Sequence, residues 1–255
     1  MDYNEDNLNQ DAGEMSFSDK LAAIFTEPSN LFESIKNCRP KTIDWLVPTI
    51  IVVILSIFSS IVQMNDIEIK KEIKEKGIAQ IQKMVDEGKL PAENFNQAIE
   101  SIDKMSGYQL FAVLLFTPIT VFAMLFIMAL IYWAIAKLIL KGSPMYGHAL
   151  SLVGLVSLIG VFSVIVNLVL SIQYGKMNTG LNLALLASPA TSDQLLTLLK
   201  AIDPFTIWSL ILTSIGLAKL SSVSFQKSAI WVFGFAIIFL LISMLSSSVF
   251  SGIFG

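Results

Sequence analysis

Residues 110–140 read LFAVLLFTPITVFAMLFIMALIYWAIAKLIL, thirty-one residues whose one charge is Lys137. As a straight helix this run would measure about 46 Å at 1.5 Å per residue, against roughly 30 Å of bilayer hydrocarbon. A stretch so long and so apolar specifies a membrane-spanning helix that must tilt, kink or protrude. Pro118 offers the kink, because it removes a backbone donor, and Thr117 and Thr120 stand beside it to satisfy freed carbonyls. Tyr132 and Trp133 mark an interface, beyond which Lys137 and Lys141 reach water.

The whole chain agrees with that reading. Its 255 residues are 54% hydrophobic and 15% charged, where a soluble domain carries about 25% charge, and the mean hydropathy is +0.69. Four further apolar runs follow the pattern, giving spans at about 43–62, 110–140, 149–172, 205–220 and 228–250. The expected fold is therefore all-α: a polytopic membrane bundle of five transmembrane helices, occupying 43–255, with a helical extramembrane loop at 64–109. Pro48 and Trp45 lie near the start of the first span, Pro48 as a kink candidate and Trp45 as an interface anchor.

Before the bundle, residues 1–17 read as a disordered acidic tail without a cleavable signal peptide. Residues 18–42 carry Leu21, Ile24, Phe25, Leu31, Phe32 and Ile35 at helical spacing in a stretch too short to span. They are expected to form interfacial amphipathic helices, with Thr26 as a cap ahead of Pro28, Asn30 and Glu33 as a second start signal, and Arg39-Pro40 as a stop. In the 64–109 loop, seven lysines alternate with nine carboxylates. Asp66 with Lys70 and Glu72 with Lys76 have the i,i+4 spacing that supports an exposed helix. A water-exposed helix is expected to continue out of the first span to Gly88, turn through Pro91, and be followed by a second helix to about Met105. Its charged surface reads as a solvated face, with a partner-binding face as the alternative.

Spans three and four carry small residues at helical intervals: Gly154, Ser157, Gly160, Ser163 and Asn167, then Ser209, Thr213 and Gly216. Such stripes let helix backbones approach closely in lipid. Bulky replacements at Gly154 and Gly160 are accordingly expected to weaken folding or association. Asn167 reads as a helix-to-helix hydrogen-bonding group or, alternatively, a substrate-lining one. A surface-lying helix over Leu195–Ile202 is expected to start from Thr191 and Gln194, and Asp203 with Pro204 to cap the fourth span.

No enzyme constellation emerges. His148, the single histidine, has no Ser or Cys partner in motif context, and reads as an interfacial polar residue or, alternatively, a proton relay. Asp and Glu are expected to be missing from every span interior, which disfavours a pump or proton-coupled carrier. Cys38 is the single cysteine, so no internal disulfide or zinc site is available. No catalytic residue, cofactor or metal is assigned. With one arginine among 17 basic residues, no nucleic-acid partner is expected.

Basic residues set the expected orientation. Lys20, Lys36, Arg39, Lys41, Lys137, Lys141, Lys219 and Lys227 fall on one face through short connections. The other face collects nine lysines, seven of them among the more numerous acids of the 64–109 loop, so the density of basic residues in short connections assigns the first face to the cytoplasm, putting the N-terminus inside, the 64–109 loop and the C-terminus outside, in a bacterial inner (plasma) membrane.

Three stretches carry a resemblance. Glu27-Pro28-Ser29-Asn30-Leu31-Phe32 with Trp45-Leu46-Val47-Pro48, then Tyr146-Gly147-His148-Ala149-Leu150-Ser151-Leu152, and then Asp203-Pro204-Phe205-Thr206-Ile207-Trp208 through Gly216-Leu217-Ala218, resemble the Yip-domain membrane proteins over about residues 25–250. His148 stands where an aromatic is common in that family. The resemblance implies five spans, a cytoplasmic N-terminus and, in eukaryotic members, Ypt/Rab GTPase partners and membrane trafficking or shaping. The long charged loop and short tail look bacterial, so no Rab GTPase is expected here. The expected function is a non-enzymatic membrane protein that scaffolds or organises membrane through helix packing, partner binding or self-association, in contact with membrane lipids. The alternative is a small-solute or ion transporter or channel component using polar residues of spans two to four.

Overall fold

A computed structural model describes residues 15–177, 179–188 and 191–254. The described helices are α1 (Phe17–Thr26), α2 (Pro28–Asn37), α3 (Ile43–Asn65), α4 (Ile67–Asp86), α5 (Phe95–Ala134), α6 (Tyr146–Tyr174), α7 (Asp193–Ala201), α8 (Pro204–Ser221) and α9 (Phe225–Phe254), with short 3-10 turns at Ala92–Asn94 and Leu183–Leu186. There is no strand among the described residues. Five helical segments are long and apolar enough to cross a bilayer: α3, Tyr108–Ile139, α6, α8 and Phe225–Ser243 within α9. The fold is an all-α polytopic bundle.

The chain forms two compact units. The first comprises Met1–Val52, Phe122–Phe162 and Asn182–Gly255. Its core joins Ala23 and Ile24 of α1 and Leu31, Phe32 and Ile35 of α2 to Tyr132 and Ile135 at the end of span two, Leu152, Leu155 and Ile159 of α6, and Leu212, Leu217 and Leu220 of α8. The i,i+3 and i,i+4 spacing within each set is what puts its members on one helix face. Helices α1 and α2 are too short to span, so their apolar faces are satisfied by docking. Each fully buried Leu, Ile or Phe contributes about 1.5–3 kcal/mol when withdrawn from water. A smaller cluster of Leu125, Ala129, Ala149 and Leu150 packs against Trp45 and Trp133.

Span two does not stop at Ala134 but ends in a π-helical turn, Ile135–Ile139. Lys137 there places its ammonium 4.9 Å from the Trp133 ring centre, and the Trp133 indole N–H donates to the Pro144 carbonyl at 3.1 Å. The following turn passes through Lys141 at φ 60°, and Gly142 is backed directly by Ser221, whose Cα would lie 2.7 Å from an added Cβ.

Several expected helix ends move. Residues 1–14 of the expected tail lie outside the described residues, but α1 already begins at Phe17, with the Ser16 side chain accepting from the Asp19 N–H. Thr26 closes α1 instead of capping α2. Glu27 occupies the cap position and Pro28 the first turn, so Asn30 and Glu33 lie inside α2 and start nothing. Pro28 explains the shift, since its fixed φ and missing N–H suit the first helical position. For α7 the cap is Ser192, accepting from Leu195 N–H, while Thr191 accepts from the Ser188 N–H.

The second unit comprises Val53–Val121 and Ser163–Leu181. Here the helix of span one does not continue unbroken into the charged loop: it ends at Asn65, and Asp66 caps α4 by accepting from the Ile69 N–H. The competing side-chain acceptor of Asp66 takes the place of a helical turn. The Glu72–Lys76 ion pair forms on α4. Gly88 turns the chain at φ 71°. Beyond it, no second loop helix ends near Met105. Instead α5 runs 40 residues, Phe95–Ala134, through Pro118, because the lone Gly107 costs the ladder only about 1 kcal/mol. Gly175, at φ 60°, meets the Glu68 side chain, whose Cβ would lie 2.9 Å from an added Cβ.

Candidate functional site at the N-terminal helix pair

The most unusual chemistry of the first unit joins α1 to span one. The Lys20 ammonium donates to both carboxylate oxygens of Asp44, at 3.1 and 2.9 Å, and the two side chains are 3% and 2% exposed. Lys20 lies on the face of α1 that also buries Ala23 and Ile24, so a charge sits inside an otherwise apolar stripe. Asp44 lies in the first turn of α3. The expectation that carboxylates are missing concerned span interiors, and Asp44 stands outside them, at the mouth of the first span, where its own ammonium partner neutralises it. Burying either charge alone would be costly, which is why both are held bidentate.

A second fastening is built at the start of span three. The Tyr146 hydroxyl donates to the Phe126 carbonyl at 3.1 Å. An added Cβ on Gly147 would fall 2.6 Å from the Pro40 ring, so the glycine admits Pro40. The His148 Nδ1 accepts from the Met145 N–H at 3.1 Å, and its Nε2 lies 3.0 Å from the Cys38 carbonyl. A carbonyl only accepts, so the Nε2 carries the proton and the imidazole is the neutral tautomer. Together these three residues clamp Cys38–Pro40, the entry to span one, onto spans two and three. Span three closes on span one again at Gly154, where an added Cβ would stand 2.4 Å from the Trp45 Cα and 3.2 Å from the Asp44 carbonyl. That carbonyl is the one Pro48, buried inside α3, cannot serve with an N–H.

On the other flank, α2 meets α8. A Cβ added at Gly216 would lie 3.2 Å from the Phe32 ring and 2.3 Å from the flexible end of Leu152. The same two helices and the start of α9 line a groove of about 660 Å³, whose apolar lining is Ile211, Ile215, Ala218, Val223 and Phe225. Glu33, Lys36 and Lys219 stand on its rim. Glu33 takes the Lys219 ammonium at 3.2 Å and the Lys36 ammonium at 3.4 Å. Among the described residues no group of His, Cys, Asp and Glu could hold a metal ion.

The profile of the Yip1 domain matches residues 22–247. The chain belongs to the Yip1 domain family. A curated relative, membrane protein YknW of Bacillus subtilis strain 168, is 30% identical over 249 residues, covering 96% of this chain and 98% of that protein. No solved structure matches the chain at a significant level.

Within this Yip1 domain, the stretches that carried the resemblance map onto the fastenings just described. Trp208 of the fourth-span stretch packs edge-on against Phe25 of α1, with ring centres 5.9 Å apart. Asp203 accepts from the Phe205 and Thr206 N–H groups, both at 2.9 Å, at the start of α8, with Pro204 in the first position. The remaining small residues divide. Thr213 is buried in α8 and Ser209 half-buried, whereas nothing lies within 4 Å of a Cβ at Gly160, so the close approach expected there is absent. The Ser157 hydroxyl donates to the Gly154 carbonyl of its own helix. In the second unit Asn167 bonds Ser163 one turn back at 3.4 Å, an intrahelical bond in place of the expected helix-to-helix one. α5 continues through Pro118, and Thr117 and Thr120 line a shallow depression with Ala112, Val113, Phe116 and Val121.

Sequence reasoning missed the Lys20–Asp44 pair. A lysine at the buried positions of an amphipathic helix, followed by a carboxylate within the first turn of the next apolar run, was the available signal. The bond from Lys219, with the Lys36 charge beside it, holds the Glu33 carboxyl below the usual carboxylate range against the opposing effect of its partial burial. A lowered carboxyl contributes stability above its unfolded range, and this is lost as pH falls through the lowered folded value. Because Glu33 is 41% exposed, solvent limits the contribution to about 0.2–1 kcal/mol. Glu33→Gln is therefore expected to melt slightly below the parent at pH 7 and to match it once the pH is below the carboxylate range. A gap that widens on acidification would contradict this.

Proposed function

We propose that the protein is a non-enzymatic scaffold of the bacterial plasma membrane, with its N-terminal helix pair on the cytoplasmic side, the 64–109 loop outside, and membrane-protein partners or further copies of itself as what it organises. One observation carries the reading: the ionisable groups best placed for chemistry serve as fasteners. Lys20 is bound by Asp44, His148 is engaged through both ring nitrogens, and Asp203 caps a helix. An N-terminal helix pair fastened to the spans suits a platform. The density of basic residues in the short connections supports the orientation, and no Rab GTPase partner is invoked.

The test is crosslinking and capture from native membranes with a tag on the N-terminal tail, comparing the intact chain with one whose 64–109 loop is shortened. A stoichiometric membrane-protein partner that disappears with the loop is expected. Solute flux in reconstituted vesicles that falls with Asn167→Leu or Thr213→Val would replace the scaffold reading with a transport one.

A further inference from the structure

The α2–α8–α9 groove unites features that no fastening role uses. Its apolar lining is Ile211, Ile215, Ala218, Val223 and Phe225, lying where one apolar helix ends at Ser221 and the next begins at Phe225. The ends of two spanning helices belong at the level of lipid headgroups. Its rim carries two ammonium groups, Lys36 and Lys219, against one carboxylate, Glu33, leaving a net charge of one positive. The lysines are 32% and 37% exposed, so a ligand can reach them. Ser29 and Ser222 add hydroxyls to the same lining. The positive end of α9 opens beside them.

We propose that this groove binds the headgroup of an anionic phospholipid, with phosphate on Lys36 and Lys219 and the first part of the acyl chains on the apolar lining. A volume of about 660 Å³ accommodates a headgroup and the glycerol end of the chains, the remainder lying along the bundle exterior. Charge selects the anionic class: a headgroup with one negative charge neutralises the rim, whereas a zwitterionic one leaves it positive. Glu33 then acts as a built-in competitor, occupying both lysines until a phosphate displaces it. Lipid is favoured over a soluble anion because Ile211 and Phe225 are 37% and 42% exposed within a polar rim, apolar surface that inorganic phosphate would leave uncovered. The inference stands apart from the scaffold reading, since it concerns what the bundle holds and not what it assembles.

The purified full-length chain in detergent is titrated with short-chain phosphatidylglycerol and phosphatidylcholine by native mass spectrometry. Phosphatidylglycerol is expected to bind more tightly, and Lys36→Gln or Lys219→Gln each to weaken it about fivefold, in keeping with the strength of a single lysine near an anionic headgroup. The double variant is expected to lose the preference, whereas Lys227→Gln, outside the groove, is expected to keep it. Glu33→Gln removes the competitor and is expected to tighten phosphatidylglycerol binding, a gain that damaged folding would not produce. Equal affinity for the two lipids in the parent, a preference that survives the double variant, or weaker binding by Glu33→Gln would each overturn the proposal. So would inorganic phosphate displacing the lipid at matching concentration, which would make the groove a soluble-anion site.

Discussion

Asp44→Ala is expected to cost about 3–5 kcal/mol, because it removes the buried carboxylate that holds the Lys20 ammonium through both of its oxygens. For a chain of this size that corresponds to a melting temperature in detergent lower by roughly 10 °C, or to failure to accumulate in membranes. The informative comparison is the pair Lys20→Met with Asp44→Leu. Replacing both charges by apolar side chains of similar size removes the desolvation penalty along with the attraction, so the double variant is expected to recover most of the loss. A single variant that melts like the parent would show that the pair is dispensable. A double variant as unstable as the single would show that α1 depends on the bond itself and not on the desolvation of the two charges.

The second large effect is at Gly154. Even the methyl of Gly154→Ala would lie 2.4 Å from the Trp45 backbone, and a backbone atom cannot swing aside as a side-chain tip does. Spans one and three must therefore separate, at a cost of about 1–3 kcal/mol for alanine and more for leucine. Gly160→Ala provides the control, since its added methyl meets nothing within 4 Å. Thermal melts of the two alanine variants in detergent should differ clearly, with Gly160→Ala near the parent. Equal melting would remove Gly154 as the contact that sets how closely these helices approach.

The contrast between these glycines shows where a linear sequence is legible. The spans were readable because hydrocarbon demands a long uninterrupted apolar run, and α3, α6 and α8 begin and end within a few residues of those runs. The stripe Gly154-Ser157-Gly160 was equally visible, but periodicity gives only the face of a helix, not which turn of that face another backbone touches. Asp44 escaped because an edge residue of a span reads as interfacial unless its partner is known, and Lys20 is 24 positions away on a separate helix. His148 was visible as a lone polar group, yet its second nitrogen answers to Cys38, 110 residues earlier. Local competition was harder still: that Asp66 would break the helix depends on its side chain winning the Ile69 N–H.

The contact of Phe32 with the Gly216 region of α8 has a consequence for how the chain is made. Lys20 and Asp44 emerge from the ribosome almost together and can join as soon as the first span is seated, whereas the surface that covers Phe32 is synthesised roughly 180 residues later, a delay of about ten to forty seconds at bacterial elongation speeds. During that interval α2 carries an uncovered aromatic face next to a newly inserted helix. An ion pair made that early would tether it beside the bilayer while it waits, giving two charges that the finished bundle buries a task before the bundle exists.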